Sequence, residues 1–262
     1  MPLIEGPDAR LNVEVRGAGT PVTLFAHGIT SCIAEIEPWA AGTQGTRVLM
    51  DLRGHGASDR PPPEAGYGPD AMRRDIACVA DRFAATRAFG VSVSAEALCA
   101  IMAGRPDRFE RVALFLPGAL DEPNDGAAHF PEFAADLESM TLEDYAGKAL
   151  ADPVYGLLFA KRPAWRALVR QRILRMNRDG IPRALRGYRD APPPVPDPAP
   201  LAAVEAPVLI LGHEDDPVHD AAVARRLASL LPGATLRIWD EPLAMLDDPA
   251  AFARLVGSFL SA

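Results

Sequence analysis

Phe89-Gly90-Val91-Ser92-Val93-Ser94-Ala95 is the stretch on which the fold turns. The run that leads into it, 86–91 (TRAFGV), is short and apolar and reads as a buried strand. The run that follows, 93–104, carries helical spacing. A serine at such a junction occupies a tight, strained turn that lifts its hydroxyl above the sheet. Small residues must flank it so that the turn closes without clashes. Gly90 fills the first flank, and Ser94 stands where a second glycine is more usual. Taken alone the pattern Gly-x-Ser-x-Ser is weak, because an ordinary strand-to-helix turn explains it equally well.

Working outward, the same alternation of short apolar runs and helical patterns continues on both sides. Residues 11–16 suit an edge strand, and 21–26, 47–52, 111–116, 207–212 and 235–239 read as further strands. Helical spacing covers 69–84, 93–104, 219–231 and 249–261; in the last, Phe252, Leu255, Val256 and Phe259 form one apolar stripe. This rhythm predicts an α/β fold, a mostly parallel sheet wrapped by helices. It breaks between about 120 and 200, where acidic stretches give way to an arginine-rich segment and then to APPPVPDPAP at 191–200. The expectation is a core of 1–120 and 201–262 with a helical cap insertion at 121–200, the proline run serving as a stiff return.

Composition narrows the function classes. A chain of 262 residues, 48% hydrophobic, can bury one large core. The net charge of -8 argues against nucleic acid or an anionic membrane surface as partner. The three cysteines, Cys32, Cys78 and Cys99, lack metal-ligand spacing and make a poor disulfide framework, so no metal or other cofactor is expected. Cys78 and Cys99 read as buried thiols. The first residues do not read as a signal peptide and no apolar run is long enough to span a bilayer, so a cytoplasmic protein is expected.

Three further turns give the serine a context. His27-Gly28-Ile29-Thr30 follows the strand at 21–26. Arg53-Gly54-His55-Gly56-Ala57-Ser58-Asp59-Arg60-Pro61 follows the strand at 47–52. His213-Glu214-Asp215-Asp216-Pro217-Val218-His219 follows the strand at 207–212. In this order the motifs resemble the α/β-hydrolase superfamily over residues 11–116 and 205–261. The resemblance implies an α/β-hydrolase fold with Ser92 and Asp216 at catalytic positions, Asp215 remaining a rival for the acid. It also implies an oxyanion hole from the backbone N–H groups of Ile29 and Val93, donors aimed at developing charge. His27 and Gly28 would support that turn, and His55 would be turn scaffold. The plain alternative for Asp215 and Asp216 is that they cap the helix beginning near 219.

The resemblance fails at one position. Relatives carry a histidine after the last strand, about seven residues before a proline that opens the final helix. Counting back from Pro249 places that slot at Pro242, and no histidine lies beyond His219. A serine hydroxyl without a base is a poor nucleophile, so a sluggish Ser92 is expected. His219 and His213 are the candidates for a substitute base, although a solvated loop histidine is the favoured reading of both; His129 in the insertion is a remote third. The insertion would cover the serine and shape an apolar pocket with Phe130, Phe133, Leu137, Tyr145, Tyr155, Leu158, Phe159 and Trp165. The arginines between Arg162 and Arg189 could meet an acidic substrate, with a solvated helix face the preferred reading.

Three functions fit these observations. The first is an enzyme acting on a carbonyl-containing, largely apolar small molecule by non-hydrolytic chemistry in a biosynthetic pathway, such as cyclisation, lyase or carbon–carbon bond reactions. Close behind is a serine esterase or thioesterase with a displaced base. The third is a ligand-binding protein that has lost catalysis.

Overall fold

The computed structural model describes residues 3–62, 66–153, 159–241 and 244–262, with the side chain of Leu246 left out. A seven-stranded sheet runs through its centre. The strands, in chain order, are β3 (Val13–Arg16), β4 (Val22–Ala26), β5 (Thr46–Met50), β6 (Arg87–Val91), β7 (Arg111–Phe115), β8 (Val208–His213) and β9 (Ala234–Trp239). Their spatial order is β3-β5-β4-β6-β7-β8-β9. Only the β3 pairing is antiparallel; the other pairs are parallel. Ahead of them β1 (Ile4–Glu5) and β2 (Arg10–Leu11) form a separate two-stranded ladder. The expected edge strand at 11–16 is thus divided between two sheets.

Alternate residues of each central strand face opposite sides of the sheet, and both sides are buried, as a parallel sheet requires. Leu24, Ala26, Val48, Met50, Ala88, Val112, Leu114, Val208 and Ile210 face one core layer. That side is covered by α2 (Pro69–Arg82), α3 (Val93–Gly104) and α8 (Ala221–Leu230). Phe25, Leu49, Phe89, Ala113, Phe115, Leu209 and Leu211 face the other. There α1 (Ile33–Ala40) and α9 (Pro249–Ser261) add Ile33, Ile36, Phe252, Val256 and Leu260. Each large side chain buried this way contributes about 1.5–3 kcal/mol before conformational entropy is counted. Helix α1 escaped the sequence reading for two reasons: Pro38 lies inside it, and Cys32 at its N-cap makes no side-chain capping bond.

Between β7 and β8 the chain leaves the sheet and forms α4 (Phe130–Ser139), α5 (Leu142–Ala151), α6 (Trp165–Leu174) and α7 (Ile181–Arg189). Helices α4 and α7 pack on each other, and Phe130, Leu137 and Tyr188 are buried in one cluster with the main core. Phe133 stacks on Tyr145, with centroids 5.1 Å apart. Phe159 and Trp165 are also buried. Tyr155 and Leu158, expected to line the pocket, lie outside the described residues. Most of the insertion's apolar side chains therefore pack within the protein, and the proline run returns beside the sheet, with the Val195 N–H donating to Leu120 O at 2.9 Å. Cys99 is fully buried, whereas Cys78 is only half-buried. Among the described residues no helix is long and apolar enough to cross a membrane.

Candidate active site

Strain marks one edge of this sheet. Among the described residues, four of the five non-glycine residues with positive φ, Thr30 (69°), Ser92 (54°), Leu116 (54°) and Asp215 (57°), lie in loops that leave a parallel strand at its C-terminal end; the fifth, Ala84 (49°), follows α2. Such backbone is costly and persists where the surroundings hold it. In an open parallel sheet this is also the edge where ligands bind.

Ser92 stands between β6 and α3 with φ 54° and ψ -121°. The turn is closed by its flanks. A side chain at Gly90 would come within 2.8 Å of the Ala95 backbone N and of Leu98, so only glycine fits. Ser94 replaces the usual second glycine without leaving a buried group unsatisfied. Its Oγ accepts the Val91 N–H (2.7 Å) and donates to Ala26 O (2.8 Å), tying the turn to the neighbouring strand.

The HG turn lies directly against this serine. A Cβ added to Gly28 would stand 3.3 Å from Ser92 Cβ and 3.4 Å from Val91 O, so the two turns are in close contact. Two buried histidines hold the turn. His27 donates through Nδ1 to Gly28 O (2.7 Å) and accepts the Leu52 N–H at Nε2 (3.0 Å). His55 donates to Arg53 O (2.9 Å) and accepts the N–H of the strained Thr30 (3.3 Å). Burial pushes His27 down to about 4 and His55 down to about 3, so both are neutral at working pH. Both rings are fully engaged with backbone groups of the two turns. Beneath them Asp51, buried, accepts the N–H groups of Ile33 and Ala57 and the Asn12 amide, fixing α1 and the RGHG loop together.

The loop after β8 carries the surprise. Asp216 Oδ1 accepts the N–H groups of Val218 (2.8 Å) and His219 (3.0 Å), a tight local turn. That turn folds the side chain at the third following position back over the carboxylate. His219 Nδ1 accordingly meets Asp216 Oδ2 at 2.9 Å, and its Nε2 meets Ser92 Oγ at 2.9 Å. Burial raises the Asp216 pKa, but the hydrogen bond and charge of His219 and the Val218 N–H outweigh it, and the carboxyl ends far below the usual range. Asp215 is exposed, and the helix that follows is capped by Asp220, whose Oδ1 accepts the Ala222 N–H (2.8 Å). Neither Asp215 nor Asp216 performs that cap.

The favoured reading of His213 and His219 as solvated loop histidines is therefore corrected. His219 is only 17% exposed and is hydrogen-bonded at both ring nitrogens. His213 is 1% exposed, with Nε2 3.3 Å from Asp216 Oδ2 outside hydrogen-bonding geometry. Among the described residues the partner of the Ser92 hydroxyl is His219. His129 is exposed, with its ring edge-on to Phe130. Pro242, where the resemblance would place a histidine, lies outside the described residues.

Topology explains how a histidine here reaches the serine. Strand β7 separates β6 from β8, so the imidazole must cross roughly 10 Å, two strand spacings. It passes over the loop leaving β7. A Cβ on Gly118 would stand 3.2 Å from His219 Cδ2, so a larger residue would crowd the ring. Sequence reasoning missed this glycine and also Glu96, a buried acid one turn after Ser92. The available signal for the base was the spacing Asp216-x-x-His219, legible only once the carboxylate is known to cap its own turn. From the cap, Arg172 Nη2 donates to Thr30 Oγ1 (3.0 Å) while its Nε faces Glu35 Oε2 (3.1 Å), placing one arginine of the insertion at the HG turn. Among the described residues no cluster of side chains is suited to hold a metal ion.

Comparison with known proteins agrees with this architecture. The solved enol-lactonase from Burkholderia xenovorans superposes with a TM-score of 0.79 at 21% identity, covering 100% of both chains. A bottromycin epimerase superposes with a TM-score of 0.71 at 20% identity, covering 97% of each chain. A curated sequence, the 2-(acetamidomethylene)succinate hydrolase of Mesorhizobium japonicum, is 45% identical over 69 residues, 26% of this chain. That match spans only 24% of the relative's length. The model of the alpha/beta hydrolase family matches residues 23–255, and the chain belongs to that family.

Proposed function

We propose that the chain is a serine hydrolase of small carbonyl compounds whose base has moved from the last loop of the fold into the acid loop. The observation that carries the reading is the continuous relay Asp216–His219–Ser92, with both links at 2.9 Å. Asp216 accepts the Nδ1 proton of His219 and so leaves Nε2 as the acceptor. As Ser92 Oγ attacks the substrate carbonyl, Nε2 takes the hydroxyl proton. The developing oxyanion lies against the N–H groups of Ile29 and Val93. His219 then returns the proton to the leaving group, and water, deprotonated by the same imidazole, releases the acyl group from Ser92.

This relay favours hydrolysis with a displaced base over the non-hydrolytic and ligand-binding alternatives, because it supplies what those readings assumed was lost. The substrate is proposed to carry a carboxylate beside the scissile ester, lactone or amide. Arg172 stands at the HG turn with Nη1 unpartnered among the described residues, and one curated relative is named for hydrolysis of a substituted succinate. A panel of acyl esters, lactones and acylamino acids tests the reading. Turnover that falls at least a thousandfold in Ser92→Ala is expected. One neutral hydrogen bond is worth only about tenfold, so a loss of that smaller size would return the non-covalent reading to first place.

A further inference from the structure

Glu96 is a buried acid that the mechanism above does not use. It lies on α3, one turn beyond the nucleophile, and is 0% exposed. Its two oxygens face different parts of the protein. Oε1 accepts the Gly118 N–H at 3.1 Å, and Oε2 accepts the hydroxyl of Tyr188, from α7 of the cap, at 2.8 Å. Gly118 is the residue packed against the His219 ring. The neighbouring segment is equally tight, since a Cβ on Gly126 would meet Val218 Cα at 2.5 Å.

We propose that Glu96 is a positioning residue for His219: with Tyr188 it clamps the loop leaving β7, the wall against which the imidazole reaches Ser92. The proposal rests on the reading of His219 as the base. In the order β6-β7-β8 a base after β8 must pass the loop leaving β7 to reach Ser92, so where His219 stands depends on where that loop is held. The clamp also links the cap to the triad, because Tyr188 belongs to the insertion and its other partner is Asn124, at the start of that insertion.

The groups facing Glu96 are few. They are Cys99 on its own helix, Tyr188 from the cap, His219 from the acid loop, and the backbone N–H groups of Gly118 and Ala119. Burial pushes the Glu96 carboxyl up to about 7, opposed by the Tyr188 hydroxyl, the Gly118 N–H and His219. The clamp therefore ionises in the range where the enzyme works. The ionised form accepts both hydrogen bonds with charge assistance, so the wall tightens as pH rises through that range.

The test uses the purified full chain, p-nitrophenyl acetate as substrate, and a fluorophosphonate as serine probe. Glu96→Gln keeps an oxygen for the Gly118 N–H and removes a buried charge, so its Tm at pH 8 should not fall. At that pH its kcat should drop about tenfold with little change in KM, the size of a lost charge-assisted bond. Tyr188→Phe should lower kcat about threefold, and the double variant should be no worse than Glu96→Gln alone, since both act through one network. Below neutrality the roughly tenfold advantage of the wild type over Glu96→Gln should shrink toward unity as Glu96 is protonated. A Glu96→Gln enzyme with wild-type kcat and an unchanged acid limb overturns the proposal while leaving the base intact. Wild-type kcat in His219→Gln, or a wild-type chain that neither turns over the ester nor labels at Ser92, overturns the reading of the base and this inference with it.

Discussion

Replacing His219 by glutamine should disable the enzyme without unfolding it. The turn that presents residue 219 is held by backbone N–H groups donating to Asp216 Oδ1 at 2.8 and 3.0 Å, and both survive the change. The imidazole itself is partly exposed, so little burial is lost. What disappears is the proton acceptor 2.9 Å from Ser92 Oγ and the imidazolium that Asp216 would stabilise. Loss of a triad base costs several powers of ten in kcat. A fall of about 10⁴, equivalent to about 5.5 kcal/mol of transition-state stabilisation, is expected. KM should change little, because the residue acts on the transition state and not on uniform binding. The assay is steady-state hydrolysis of p-nitrophenyl acetate at pH 8, with circular dichroism to confirm the fold. A variant within tenfold of wild type would show that Ser92 is activated by another group, and the relay would then be a structural contact.

Two other outcomes follow from the same geometry. Arg172→Ala should raise KM about fivefold for an ester bearing a free carboxylate, the effect of a half-exposed ion pair, and leave the neutral methyl ester unchanged; equal effects on both would remove the acidic-substrate reading. His27 and His55, held near 4 and 3 when folded, bind protons more readily in the unfolded chain, so stability should be lost as pH falls from about 6.5 toward 3. The two sites together account for at most about 8 kcal/mol at the low end. Urea midpoints measured between pH 7 and pH 4 should decline steadily, and a flat profile would mean that neither ring is held neutral.

The fold was legible because its signals are local. Strands β4 to β9 and helices α2, α3, α8 and α9 fall within two residues of the ranges read from periodicity, since a two-sided parallel sheet writes itself as short apolar runs. Ser92, His27, Gly28, Ile29 and Asp216 were singled out because each follows an expected strand, in the order of the motifs that carry the resemblance. What escaped depends on contacts between distant segments. Nothing in the neighbourhood of His219 distinguishes a solvated ring from one folded over Asp216. The distinction comes from the two N–H groups that the carboxylate accepts, and from Gly118, 101 residues earlier in the chain, leaving room for the ring. Glu96 was hidden for a related reason: on a helix it reads as a solvated charge, and only Tyr188 and Gly118 make it a buried acceptor. His219 and His213 were named as substitute bases for the histidine expected at Pro242, but a solvated loop histidine was the favoured reading of both, because the fold of the loop around Asp216 is not written in its sequence.

The most direct measurement is the rate at which a fluorophosphonate modifies Ser92, followed by mass spectrometry of the labelled peptide. A serine activated by the Asp216–His219 pair should be labelled rapidly and stoichiometrically at Ser92 in the wild-type chain, with labelling lost in His219→Gln and unaffected in Asp215→Asn. Slow or absent labelling of the wild type, or labelling that survives removal of the His219 imidazole, would contradict the account.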